Sequence, residues 1–419
     1  MNPQRRATVN TDPVGAVAEI QGLYGPFTFS EKLFQRIWLQ GDFDRTLATT
    51  TDGRRVRVLY PGKWNLLGGP DFKGARIAFE NGETRVGDVE LHLHAADWVA
   101  HRHAQDPAYD GVILHVVLFP PPAGTRTLGA DGCEIPVLPL LPWLHHDLEE
   151  YAAEAAVEQL ADRPASRVLD ELGALPAEAL ADLLRTHARQ RWEQKVHFAR
   201  LRVQRLGWEA ACHHTALEIL GYRFNRAPML RLAGQWPLAA WTARDFAAGI
   251  EALYAAEADT WTVQGVRPAN HPRTRLRQYA AWVAARPDWP ARLERAGEAL
   301  GAIAEGLSTG DARRTFGFTH RRAELAGAIC AEAVSGTRFD NLVCDGFLPL
   351  LEARGGRHGF GYWQHWFAGD MPPAVVANLR TLGMFSGRHH PARHGVAQGL
   401  LGWLIETERQ SSAAEGRGA

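Results

Sequence analysis

The sequence predicts an α+β chain: an N-terminal αβββαβ unit with a mixed sheet, followed by a mostly α-helical C-terminal region. Three observations carry this. One helical repeat opens the N-terminal part, short β-type runs bounded by tight-turn signals fill the rest of it, and from about Asp147 onward the apolar spacing is helical almost throughout. At 419 residues the chain is also too long for one core, so two domains are the natural division. The expected boundaries are an arm over 1–22, an α/β domain over 23–143, an all-helical domain over 144–409 and a tail over 410–419.

Taken in order, Ser30 reads as the N-cap of EKLFQRIWLQ, where Leu33, Phe34, Ile37 and Trp38 recur at helical spacing. Asp52-Gly53 turns a hairpin between RTLATTT and RRVRVLYPG, and Asn81-Gly82 turns another between ARIAFE and RVGDVELHLH. In the last run Val86, Asp88, Glu90, His92 and His94 share one parity, and Val89, Leu91 and Leu93 the other. Acidic and imidazole groups therefore line one sheet face while aliphatics face the core. HRHAQDPAYDG is a short helical or looped connection to VILHVVLF, a continuous apolar run of the kind buried on both faces. Prolines over 120–143 mark the domain boundary, and helical segments separated by Pro and Gly follow.

The composition excludes several classes. A net charge of −1 leaves no generally basic surface, so nucleic-acid contact requires a local patch. Cys133, Cys212, Cys330 and Cys344 are too scattered for a zinc ribbon or a disulfide scaffold. The N-terminus lacks an apolar signal segment and no run reaches membrane-spanning length, so a cytoplasmic location with no membrane partner is expected.

The chemically able residues concentrate between Gly69 and Trp98, with His101 and His103 just beyond. Phosphodiester cleavage needs activated water and stabilisation of charge on the phosphate, and divalent cations held by carboxylates supply both. Pro70-Asp71, then eighteen intervening residues, then Glu90-Leu91-His92 in the αβββαβ order, resembles the motif of the PD-(D/E)XK nuclease superfamily over roughly residues 28–120. The resemblance implies a nuclease-like domain in which Asp71 and Glu90 hold Mg²⁺ or Mn²⁺ and act in catalysis, and Glu31 is a further metal-binding or supporting carboxylate. His92 stands where the superfamily carries lysine, and imidazole is not a permanent cation. Over most of its length the chain also resembles an uncharacterised bacterial domain-of-unknown-function family, on YPGKWNLLGGPDF, GDVELHLHAADWVAHRH, AYDGVILHVV, RPANHPRTRL and FDNLVCDGFLPLL.

The function expected is therefore a metal-dependent nuclease acting on DNA or RNA, with His92 orienting or deprotonating water and His94 joining the metal site. Two alternatives differ in chemistry. One is a non-catalytic nucleic-acid or protein-binding module on a degenerate nuclease fold, which loss of the lysine favours. The other is a zinc-dependent hydrolase using His92, His94, His101 or His103, because an HxH pair on a strand points both rings the same way. Lys63, Asn65 and Lys73 flank Asp71 as supporting or substrate-binding candidates, the bland alternative for the lysines being solvated side chains. Arg191, Lys195, Arg202 and Arg205 fall on one stripe of a helix and form a possible phosphate-tracking ridge or, more commonly, a solvated face. His115 is expected to be a core histidine, Trp98 to pack, and Asp97 to cap the next segment. The tryptophans are expected in cores, and the adjacent pairs His213-His214 and His389-His390 form no chelate.

Overall fold

A computed structural model describes residues 31–415, apart from 46, 66–67, 145–147, 149–150, 152–165, 243–245, 259, 264–265, 267 and 387–389. The expected arm, Ser30 and His389 lie outside the described residues. The chain divides into two compact units, one of residues 1–152 with 408–419 and one of residues 153–407.

The first unit is built on a mixed six-stranded sheet. Its main strands are β1 (Val56–Tyr60), β3 (Phe72–Phe79), β4 (Thr84–His92), β5 (Val112–Val117) and β8 (Val137–Pro139), neighbours in that order, with the short β2 (Lys63–Trp64) beside β3. Pairing is antiparallel from β1 to β4 and parallel from β4 through β5 to β8. A separate hairpin joins β6 (Thr127–Leu128) to β7 (Glu134–Ile135). Helix α1 (Glu31–Gln40) opens the unit, and α2 (Asp97–Ala100) with two 3₁₀ turns, His103–Gln105 and Pro107–Tyr109, links β4 to β5.

Strand β4 shows why the site lies here. Its N-terminal half is partly exposed, whereas Val89, Glu90, Leu91 and His92 are all buried. Val89 and Leu91 pack with Phe34, Ile37 and Trp38 of α1 and with Ile77, Leu114 and Val116, which places the aliphatic parity in the core. Glu90 and His92 face the other side, beneath the connection that carries Trp98, His101 and His103. Trp98 packs with Val112 and Ile135, as expected of it.

The structure departs from the sequence reading at three places in the sheet. Among its described residues RTLATTT forms no strand: Thr49 makes an isolated bridge to Arg55, and β1 pairs with β3 instead. Residues 137–139, read as part of a proline-rich boundary, form an edge strand in which Pro139 pairs with Val117. An edge position tolerates proline because one side of the strand needs no ladder donor. Strand β4 ends at His92, so the strand parity does not extend to His94.

Gly62 fixes the turn between β1 and β2. Its φ is +98°, and an added Cβ would lie 2.9 Å from Phe72 Cβ and 3.1 Å from the Lys73 carbonyl oxygen. Gly62→Ala is expected to cost about 2–4 kcal/mol, combining left-handed strain with overpacking against a fully buried phenylalanine. Gly53 (φ +85°) has nothing within 4 Å, so Gly53→Ala should cost only about 1 kcal/mol of backbone strain. Urea denaturation midpoints compare the two, and equal losses would contradict the packing argument.

The second unit is helical. Among the described residues Ala177–Leu206 is its longest unbroken helix, Trp208–Gln235 is broken by a kink with non-helical backbone at Tyr222 and Asn225, and its main core is rich in aromatics, with Trp282, Trp289, Trp363 and Trp366 among the most buried side chains. This agrees with tryptophans serving as core. A smaller cluster gathers Leu180, Leu184, Val375, Leu379 and Leu400. The last helix runs His394–Glu415, into the segment read as a tail, whose Ala and Glu residues suit a helix. All four cysteines are free, with Cys133 exposed and the others buried. No helix among the described residues is long and apolar enough to cross a membrane.

Candidate functional site

Two carboxylates meet at the junction of β3 and β4. Asp71 sits just before β3, in a loop pinned by Asn65, whose Nδ2 donates to the Gly68 and Pro70 carbonyls at 3.2 and 3.0 Å. The Asp71 backbone N–H donates to Glu90 Oε2 at 3.0 Å, and the Leu91 N–H returns a bond to Asp71 Oδ2 at 3.0 Å. Gln35 on α1 donates to Asp71 Oδ1 at 2.6 Å while its Oε1 accepts from Trp64 Nε1 at 3.1 Å. Glu31, one turn earlier on α1, accepts a bond from the Leu93 backbone and is electrostatically coupled to Asp71 and His101.

On the same face of β4, His92 is the hub of an imidazole cluster. Its Nε2 lies 3.2 Å from His101 Nδ1, 3.2 Å from His103 Nε2 and 3.5 Å from Glu90 Oε1, and Glu90 Oε1 is 3.4 Å from His103 Nε2. The other ring nitrogen, Nδ1, is 2.9 Å from His115 Nε2, and His115 Nδ1 is 2.8 Å from Thr127 Oγ1. With the His92 proton on Nδ1 and the His115 proton on Nδ1, each N–H has an acceptor, and the Nε2 lone pair of His92 points into the cluster. Trp98 and Tyr109 wall the group. Tyr109 stacks on His103 with centroids 3.8 Å apart, and Trp98 meets His103 edge-on while its Nε1 donates to the Leu128 carbonyl.

Burial governs the electrostatics. It pushes His92 down to about 2, His115 to about 3 and His103 to about 4, with neighbouring imidazoles adding to the effect, so these rings are neutral and their approaches to Glu90 are not ion pairs. Burial and the Asp71 carboxylate hold Glu90 well above the ordinary range, and burial raises Asp71 and Glu31 as well. Neutral imidazoles offer lone pairs, and two crowded carboxylates favour any arriving cation.

The donor set fits a divalent transition metal. Tetrahedral coordination at about 2.0–2.1 Å from Zn²⁺ places adjacent ligand atoms roughly 3.3 Å apart, and the contacts around His92 Nε2 and Glu90 Oε1 run from 3.2 to 3.5 Å. The nitrogens of His92, His101 and His103 all lie within 4.8 Å of one another. The His92–His115–Thr127 chain is the type of outer hydrogen bonding that fixes a ligating imidazole.

The candidates divide accordingly. Asp71, Glu90, Glu31, His92, His101 and His103 come together. His94 does not: it is exposed beyond the end of β4 and stacks on Phe119, because the chain turns where the Asp97 carboxylate accepts the His94 N–H. Asp97 thus closes that turn and caps no helix through its side chain. Lys73 forms an ion pair with Asp88 at 3.1 Å, and Lys63, exposed, lies opposite it in register. The stripe containing Arg191 and Lys195 is not a solvent-facing ridge. Arg191 is buried and donates to Gln398, Lys195 pairs with Asp345 at 3.3 Å and Arg202 with Glu218 at 2.6 Å, so these three charges are used within the helical unit, while Arg205 at the helix end is exposed. Sequence reasoning missed Gln35, Tyr109 and Thr127 and assigned His115 only to the core. The signal for His115 was its place in a strand parallel to β4, where it pairs in register with Glu90.

Fold and site together define an α+β chain whose mixed sheet carries a buried histidine–carboxylate centre. Residues 31–259, more than half of the chain, match the family described as "Protein of unknown function (DUF2851)", and the chain belongs to that family. No curated protein and no solved structure matches it.

Proposed function

We propose that the α/β unit is a metal-dependent hydrolase site acting on phosphodiesters, a nuclease in class. The observation that carries this reading is the convergence of the His92, His101 and His103 nitrogens, with Glu90 Oε1 3.5 Å from His92 Nε2 and 3.4 Å from His103 Nε2, beside Asp71. Three imidazoles favour Zn²⁺ or Mn²⁺ over Mg²⁺, which prefers oxygen ligands. A cation held there supplies Lewis-acid polarisation of a phosphoryl oxygen and acidifies water. His92 then serves as a ligand, its position at the centre of the donor set leaving no free lone pair for a water proton. Asp71, locked by Gln35 and the Leu91 N–H, steadies Glu90. Glu31, whose raised affinity for protons comes from burial, takes the proton from the attacking water. Burial and Asp71 raise the Glu90 pKa and the Lys73 ammonium opposes them, so Lys73, ion-paired with Asp88, brings a positive charge to this side of the sheet.

Metal-loaded protein is expected to cleave labelled single- or double-stranded DNA or RNA with Zn²⁺ or Mn²⁺. Glu90→Gln and Glu31→Gln should each slow cleavage by about 10²–10⁴-fold. Absence of cleavage on all four substrates, or cleavage that persists in both variants, would remove the proposal.

A further inference from the structure

The helical unit contains a second site unlike the first. A cavity of about 360 Å³ is lined by Arg185, Arg189, Arg357 and Arg393 together with His365 and Gln364. Among the described residues one acidic side chain lines it: Glu305, which lies 2.6 Å from Arg189 Nη2. Arg189 is also held over the Phe360 ring, 4.1 Å from its centroid, which fixes the guanidinium plane. Among the described residues Arg185 pairs only at the surface, 3.3 Å from Asp182 one turn away on its own helix, a kind of pair that contributes little. Among the described residues, no carboxylate pairs with Arg357 or Arg393. Arg393 is nevertheless half-buried, and burial together with Arg185 pulls its pKa down to about 10. Gln364 is only 8% exposed, and its amide oxygen is buried without a hydrogen-bond partner.

Gathering arginines around a cavity with one already-engaged acid is unfavourable unless an anion completes the set. Guanidinium forks match the paired oxygens of a phosphoryl group, and an amide turned to present Nε2 adds a further donor. The volume suits a ligand of about nucleotide size, at the small end of ordinary ligand pockets. We propose that this cavity binds a phosphate-bearing small anion, with Arg185 and Arg393 as its principal contacts. This site lies wholly within the helical unit and is independent of the histidine centre.

Isothermal titration of the full-length protein with sodium pyrophosphate, AMP and a twelve-nucleotide single strand tests this. Pyrophosphate or AMP should bind with an affinity that falls as salt rises, and the Arg185→Gln/Arg393→Gln double variant should weaken binding at least tenfold. Arg357→Gln, an exposed position that cannot disturb folding, should weaken it several-fold, which keeps the test decisive if the double variant unfolds. No binding of pyrophosphate and AMP at millimolar concentration overturns the proposal, as does binding unchanged in Arg357→Gln and in a folded double variant. Binding of the oligonucleotide alone also overturns it, in favour of a nucleic-acid surface.

Discussion

His92→Ala is expected to weaken zinc binding by roughly two orders of magnitude, whereas His94→Ala leaves it unchanged. The size follows from sharing about 10–16 kcal/mol of structural zinc affinity among four ligands, or about 3 kcal/mol each. In the proposed site the loss of His92 would matter most, because its Nε2 touches both other imidazoles and approaches Glu90, and its Nδ1 anchors the group to His115. His94 is a sharp control: it differs by two positions in an HxH motif yet stacks on Phe119 at the surface. Competition against a chromophoric chelator measures both variants, and melting curves with and without Zn²⁺ confirm that each is folded. A wild-type protein that takes up neither Zn²⁺ nor Mn²⁺ would defeat the assignment, and so would equal affinities for wild type and His92→Ala.

The contrast between His92 and His94 also shows what was legible in the sequence. Alternation along RVGDVELH placed Glu90 and His92 on one face and Val89 and Leu91 in the core, because a period of two is enforced by the pleat itself. The same alternation carried one step too far for His94, since the strand ends at His92 and Asp97 captures the His94 backbone N–H, a local bond that periodicity does not encode. His101 and His103 were visible as nearby candidates but could not be oriented. Their approach depends on a 3₁₀ turn, with Arg102 in a left-handed conformation between them. Thr127 and Gln35 were illegible as site residues because each arrives from a separate element through tertiary packing. In the helical unit the basic stripe was real as a helical pattern, but which way it faced was decided by Asp345, Glu218 and Gln398, all distant or unpatterned in sequence.

The helical unit should lose stability steeply as pH falls from about 6.5 to 4, and His213 should account for roughly 3 kcal/mol of that loss. His213 is fully buried. Its Nδ1 lies 2.6 Å from the Tyr279 hydroxyl and its Nε2 2.9 Å from the Trp236 carbonyl oxygen. This suits the neutral tautomer, with Nε2–H donating to the carbonyl and Nδ1 accepting from the tyrosine. Burial pulls the pKa down to about 4, with the adjacent His214 adding to it and the Trp236 bond opposing it. A folded pKa below the unfolded value means that between pH 4 and 6.5 the unfolded chain binds the extra proton. Stability from this group is therefore complete above about 6.5 and drains away as acid is added. His365 and His394, also drawn down to about 4 by burial, act in the same direction. His213→Gln retains one donor and one acceptor without a titratable ring. Urea unfolding at a series of pH values should show the slope near pH 5 fall by close to one proton, about 1.4 kcal/mol per pH unit, in the variant. An unchanged slope would mean that His213 titrates normally in the folded chain, and that the acid sensitivity arises elsewhere.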